Sequence, residues 1–285
     1  MSKASLEQIV RKVRDMPSLP DTMMQIIGLT EDPESTVKDL EEVILKDQTL
    51  TSKVLQLANS THYGYSRRIS TISEATVLLG FQTIKSIALA SSVNKILVKE
   101  LPGYGLKKNM LWEQSQSCAI IARFIAKKLR IKNINPEEAY IAGLLRDIGK
   151  VILNYYVTNE FYQIVEIVQS GEKTFLEAEK EVLGFDHGQI GAKVAEKWNF
   201  PVDLVEAIAY HHIPQEAKNN PTLVSIIHIA DTIVMMLGID LGIDSLKYNF
   251  SRYAMDILNI DEHTIEQIIS DVSDVLYDEE GFNLS

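Results

Sequence analysis

Apolar residues recur along this chain at intervals of three and four, the spacing that gathers them on one side of an α-helix. Leu6, Ile9, Val10 and Val13 open the pattern, and Pro17 and Pro20 bracket a tight connection before a helix resumes over Thr22 to Leu29. Asp32-Pro33 breaks it. Ser35 then caps a helix bearing Val37, Leu40, Val43 and Ile44, and Asp47 or Thr49 starts another with Val54, Leu55 and Ala58 inside. Tyr63-Gly64-Tyr65-Ser66-Arg67-Arg68 reads as an exposed loop. Ser73 is the expected cap of a short helix stopped by Gly80, and Phe81 to Val98 is a longer helix with a strong apolar face. Pro102-Gly103-Tyr104-Gly105 is the clearest internal punctuation. It sets an expected division into residues 1–100 and residues 101–285.

Helical spacing continues beyond it. One helix is expected near Asn109 to Arg130. Asn135-Pro136 supplies a cap and a first-turn proline for another, which runs through Leu145 into Arg146-Asp147-Ile148-Gly149-Lys150. Further helices are expected at Glu160 to Gln169, Thr174 to Val182, Gly188 to Lys197, Val202 to Ala209, Leu223 to Leu237, Ser251 to Leu258 and Thr264 to Leu276. Alternating strand patterns and tight hairpin turns are scarce. The expected fold is therefore all-α.

Composition narrows the class. With 285 residues and 46% hydrophobic content the chain buries a full core without staples. Cys118 is the only cysteine, which forbids an internal disulfide and suits a reducing compartment; it reads as a small buried side chain. No run has the length and apolarity of a membrane span. The richest segment, Pro221 to Gly238, is interrupted by His228 and Asp231 and reads as a buried helix. With no secretory leader pattern at the N-terminus, the expected location is cytoplasmic.

The formal charge of −11 repels phosphate backbones, and no basic stripe or aromatic platform offsets it, which argues against nucleic acid as a partner. Nine acidic residues and no Lys or Arg follow Arg252, yet the helical spacing persists there as an acidic-faced helix.

Four of the six histidines, His187, His211, His212 and His228, fall within one stretch near helix ends and apolar stripes. Asp147 and Asp231 also sit among apolar neighbours, where an ionised carboxylate needs a partner. Imidazole and carboxylate suit zinc, iron or manganese. The guanidinium of Arg146 is an equally acceptable partner for a carboxylate. A metal site and a hydrogen-bonded core network both remain open from these residues alone. His228 is explained by one bond to a backbone carbonyl, and Asn59 by a cap or a turn tie. Lys150 reads either as a phosphate contact or as a solvated lysine at a helix end.

Met16-Pro17-Ser18-Leu19-Pro20, Lys46-Asp47-Gln48-Thr49-Leu50-Thr51, Leu55-Gln56-Leu57-Ala58-Asn59-Ser60 and Leu79-Gly80 together resemble the HDOD family, a branch of the HD metal-dependent phosphohydrolase superfamily. The resemblance covers roughly residues 8 to 240. It implies an N-terminal helical bundle packed on a divergent HD-like helical bundle, in a bacterial signal-transduction setting. Leu145-Arg146-Asp147-Ile148-Gly149-Lys150 resembles the name-giving His-Asp motif with Arg146 in place of its histidine. Gln114 stands where active relatives carry the first ligand histidine.

His187, His211, His212, Asp147 and Asp231 match the remaining ligand positions. Asp147, His187, His211 and His212 can still form one site for a single divalent ion, Fe, Zn, Mn or Mg. A two-metal hydrolytic centre is disfavoured. The resemblance therefore implies a non-catalytic regulatory module that binds a signalling protein or a small phosphorylated ligand. Gln114, Arg146 and Lys150 are candidate ligand contacts, and Tyr63, Tyr65, Arg67 and Arg68 a candidate interaction surface. The alternatives are a residual metal-dependent phosphohydrolase and a nucleotide sensor that does not hydrolyse its ligand.

Overall fold

A computed structural model describes residues 21–32, 34–59, 68–156, 160–171, 173–239, 242–243 and 249–278. Among them the regular structure is helical: fifteen α-helices, two 3-10 turns and one isolated bridge between Leu101 and Leu106. The architecture is all-α, as the hydrophobic spacing predicts. No described helix is long and apolar enough to cross a membrane.

The chain divides into two compact units, one containing residues 18–95 and 262–285, the other residues 1–17 and 96–261. This differs from the division expected at residue 100 in two ways. The crossing point lies inside a helix rather than at the Pro102 turn, and the C-terminal helix groups with the earlier residues.

In the first of these units the helices are α1 (Asp21–Glu31), α2 (Val37–Leu45), α3 (Gln48–Ala58), α4 (Ile72–Leu79) and most of α5 (Phe81–Leu97). Ile26, Leu40, Ile44, Val54, Ile72, Ile84 and Ala88 form its core. The caps fall one or two residues from those expected. Thr36, not Ser35, caps α2 in a reciprocal capping box with Asp39, and Thr71, not Ser73, caps α4. Ser35 instead sends its hydroxyl to the Leu29 carbonyl at 2.7 Å. The Asn59 side-chain amide donates to the carbonyls of Leu55 and Ile69 and accepts from the Ile69 amide at 2.7 Å, while the Tyr63-Gly64 turn it was expected to tie lies outside the described residues.

The second unit carries α6 (Met110–Lys128), α7 (Pro136–Leu145), α8 (Ile148–Tyr156), α9 (Glu160–Gln169), α10 (Phe175–Leu183), α11 (His187–Lys197), α12 (Val202–Tyr210), α13 (Pro221–Met236) and α14 (Arg252–Leu258). The last helix of the chain, α15 (Glu262–Asp278), groups with the first unit and buries Ile265, Ile268 and Val272.

The helix expected to run unbroken through Lys150 ends at Leu145, and a new one begins at Ile148. α8 lies so close to α11 that a Cβ on Gly149 would stand 1.8 Å from the His187 carbonyl oxygen. Gly143 likewise admits the Ala119 backbone of α6, and Gly188 the Ala209 carbonyl of α12. These glycines permit backbone contact where any side chain would hold the helices apart. Arg146 and Asp147 occupy the resulting corner.

Candidate metal centre

Four groups converge beside that corner. Asp147 comes from the α7–α8 junction, His187 from the first turn of α11, and His211 and His212 from the end of α12. One ligand atom from each lies within 4.8 Å of all the others. Asp147, His187 and His211 are at most 2% exposed, and the His212 side chain 9%.

Each ligand is aimed by local chemistry. Asp186 caps α11 in a capping box with Gln189, which fixes where His187 leaves the backbone. Glu179 of α10 accepts from both the His187 main-chain N–H, at 3.0 Å, and its Nδ1–H, at 2.7 Å. His187 Nε2 therefore turns inward, 2.9 Å from His212 Nε2 and 3.4 Å from Asp147 Oδ1. His211 Nδ1 donates to the Ile208 carbonyl at 2.9 Å, which leaves a lone pair on Nε2.

The following loop is tied down by Glu206, whose carboxylate accepts main-chain N–H groups from Lys218, Asn219 and Asn220. His228 donates Nδ1–H to the His211 carbonyl at 2.8 Å, the backbone bond expected of it, and accepts from the Ser251 amide.

The fixed charges are ordered. Arg146 is fully buried; its Nε donates to Asp231 Oδ1 at 2.6 Å and its Nη1 to the Gly143 carbonyl at 3.1 Å. Its Nη2 stands 3.3 Å from Asp147 Oδ2, and Lys150 Nζ lies 2.9 Å from the same oxygen. Burial alone would raise the Asp147 carboxyl, but the Lys150 and Arg146 cations outweigh it and hold the group well below the ordinary carboxylate range. Burial disfavours the His187 imidazolium, yet the Glu179 and Asp147 carboxylates prevail and lift its pKa to about 10. His212 is pushed the other way, well below the usual histidine value, by burial and by the neighbouring His211 and His187.

Asp147 Oδ1 and His211 Nε2 are buried, have no hydrogen-bond partner, and face each other at 3.6 Å. Two ligands of a tetrahedral ion with bonds near 2.1 Å stand about 3.4 Å apart. The residues fit one such ion. Asp147 Oδ2 faces Lys150 and Arg146, and Asp231 Oδ1 accepts from Arg146, while Asp231 Oδ2 stands 3.8 Å from His212 Nδ1.

Asp231 pairs with Arg146 and lies outside the four-residue cluster. Arg146, Lys150 and Gln114, considered as contacts for a phosphorylated ligand, are all buried, and both cations are committed to carboxylates. The solvated reading of Lys150 also fails, since the lysine points into the corner. Arg68 is exposed, while Tyr63, Tyr65 and Arg67 lie outside the described residues.

Two residues that hold the site escaped sequence reasoning: Glu179, and Tyr104, whose hydroxyl donates to Glu179 Oε1 at 2.6 Å. A signal for Glu179 was present. It shares a buried stripe with Phe175, Ala178 and Leu183, the same anomaly that marks Asp147.

Known proteins share this fold. An HDOD domain protein of unknown function from Geobacter sulfurreducens is 26% identical and superposes with a TM-score of 0.82, covering 98% of this chain and 97% of its own. A proposed signal transduction protein from Marinobacter aquaeolei VT8, 22% identical, shares the fold with a TM-score of 0.78 over 96% of this chain and 60% of that one. An uncharacterized protein of Treponema pallidum (strain Nichols) is 25% identical over 232 residues; the match takes in 80% of this chain and 44% of the Treponema protein. The HDOD domain profile matches residues 16–214, the Asp147–His187–His211–His212 cluster included, and the chain belongs to the HDOD domain family.

Proposed function

We propose that this chain is a regulatory module of signal transduction that holds one divalent cation in a closed site and does not hydrolyse phosphate esters. The observation that carries the reading is the ligand geometry. Three imidazoles and one carboxylate oxygen converge on one point, all within 4.8 Å of each other, and Asp147 Oδ2 and Asp231 Oδ1 are paired with Arg146 and Lys150. Four protein ligands complete a tetrahedral ion, whereas a catalytic zinc keeps one position for water or substrate.

Three nitrogen donors favour zinc, iron or manganese over magnesium, which prefers an all-oxygen octahedron. The ion would be held by Asp147 Oδ1, His187 Nε2, His211 Nε2 and one ring nitrogen of His212, and would supply positive charge that locks α8, α11 and α12 together. The chain's own residues do the rest. Glu179 orients His187, the Ile208 carbonyl orients His211, and burial excludes water from Asp147.

The test is metal analysis of tag-free protein together with a hydrolysis panel. We expect one ion per chain in the native protein and none in His187→Ala. We expect no turnover of cyclic dinucleotides, nucleotides or a nitrophenyl phosphodiester in zinc, manganese, iron or magnesium. Metal-dependent turnover that vanishes in Asp147→Ala would establish the phosphohydrolase alternative instead.

A further inference from the structure

Tyr104 has more links to the metal centre than a residue of a connecting turn requires. It closes the 3-10 turn Pro102–Tyr104, and the flanking Leu101 and Leu106 pair through both main-chain hydrogen bonds, at 2.8 and 3.1 Å. Gly105 holds a left-handed conformation at φ 67°, and Gly103 lies against the Phe161 ring where a Cβ would stand 2.3 Å from it. These constraints fix the direction in which Tyr104 leaves the backbone.

Its ring is buried, edge-on to Phe161 at 5.0 Å and to His187 at 6.3 Å, with Lys150 Nζ 5.8 Å from its centre. Its hydroxyl reaches Glu179 Oε1, while Glu179 Oε2 takes both N–H groups of His187. A carboxylate that receives the outer N–H of a metal-binding imidazole fixes its tautomer and raises its donor strength. Here the second oxygen of that carboxylate is fixed in turn by a phenol. The chain turn–Tyr104–Glu179–His187 is continuous and buried.

We propose that Glu179 and Tyr104 are positioning residues that set the affinity of the four-ligand site for its cation, so that cation occupancy and the order of the Leu101–Leu106 turn are coupled. This rests on the single-ion reading above. The coupling is reciprocal: whatever the ion gains from an ordered turn, the turn gains from the ion. The turn lies on the first stretch of its unit after the chain enters it from residues 18–95. Occupancy of the site is thereby registered on the turn that follows α5.

The experiment uses the full chain stripped with a chelator and titrated with zinc against a competing fluorescent chelator. Three proteins are compared: native, Glu179→Gln and Tyr104→Phe. Glu179→Gln keeps the shape and weakens zinc binding about 10- to 100-fold. Tyr104→Phe keeps the ring and weakens it about three- to tenfold, the effect of one hydrogen bond. Cobalt substituted into each protein gives the same four-coordinate absorption spectrum, because the ligands themselves are unchanged.

Hydrogen exchange supplies the second readout. Zinc slows exchange of the Leu101 and Leu106 amides in the native chain and loses that effect in Tyr104→Phe. A role confined to packing would lower melting temperature but leave zinc affinity and the zinc-dependent exchange unmoved. Native zinc affinity retained in both variants overturns this proposal and leaves the single-ion reading standing. Failure of the native chain to bind zinc overturns both.

Discussion

The substitution Gly149→Ala adds one methyl group at the closest backbone approach beside the metal centre. The new Cβ would lie 1.8 Å from the His187 carbonyl oxygen and 2.8 Å from the Gly191 amide nitrogen. Ordinary contact begins near 3.4 Å, so α8 and α11 must part by roughly 1.5 Å. Neither obstacle can swing aside, because both are main chain. Overpacking of this kind costs about 1–3 kcal/mol. Alanine's better helix propensity returns up to about 1 kcal/mol, and the net loss is about 1–2 kcal/mol.

The same displacement carries His187 away from Asp147, whose Oδ1 it now approaches at 3.4 Å, and so weakens zinc binding as well as the fold. Gly28→Ala is the control. Gly28 lies within helix α1 with nothing within 4 Å of its would-be Cβ, so there the propensity gain acts alone and stabilises by up to about 1 kcal/mol. Thermal melts with and without zinc give the answer. At about 2–4 °C per kcal/mol, Gly149→Ala should lower the melting temperature of its unit by several degrees and reduce the added stability from zinc. Gly28→Ala should raise the melting temperature of its own unit by a few degrees. A Gly149→Ala protein that melts no lower than native and keeps its full response to zinc would refute the reasoning.

Asp231→Ala removes the carboxylate paired with the buried Arg146 Nε, and stranding that charge should cost about 3–5 kcal/mol in a melt. Zinc content should stay at one ion per chain, because Asp231 is not one of the four ligands. In the chelated protein His187, raised from 6.5 to about 10, contributes stability that is fully present below pH 6.5 and lost as pH rises through about 10. Melts of native protein minus His187→Gln should show that difference shrinking over this window while zinc affinity rises across it. Burial pushes the Cys118 thiol up, so a disulfide reagent should leave the native chain unmodified at pH 8 and label it once urea unfolds it.

The sequence carries the helices because their apolar stripes are one-sided, and it carries the ligands because a carboxylate or imidazole on such a stripe demands a partner. Asp147, His187 and His211 stood out for that reason, while the set that joins them with His212 was implied by the resemblance to the HDOD family. The break at Arg146–Asp147 was not legible, since neither residue is a helix breaker. Caps were legible only to within two residues, because Ser35 and Thr36 are chemically equivalent candidates and α2 selects the one with Asp39 three positions on. The roles of Arg146, Lys150 and Asp231 depend on rotamers. Spacing places each near the corner, but only packing decides that the guanidinium turns inward to Asp231 and that the lysine is enclosed.

That inward turn decides what kind of site this is. Three carboxylates meet around the corner, Asp147, Asp231 and Glu179, against two fixed cations, Arg146 and Lys150. The balance lacks one positive charge. Burial makes the deficit costly: a proton on His187 cancels it, and a divalent ion in that proton's place turns it into an excess of one. A second divalent ion would add two more charges beside a guanidinium that lies between Asp147 and Asp231. Under the proposed function, a single-ion site and the absence of two-metal chemistry would have one cause, the positive charge of Arg146 in the core. On this argument, ion binding exchanges with a proton, and pH and metal supply act on the module through the same side chain.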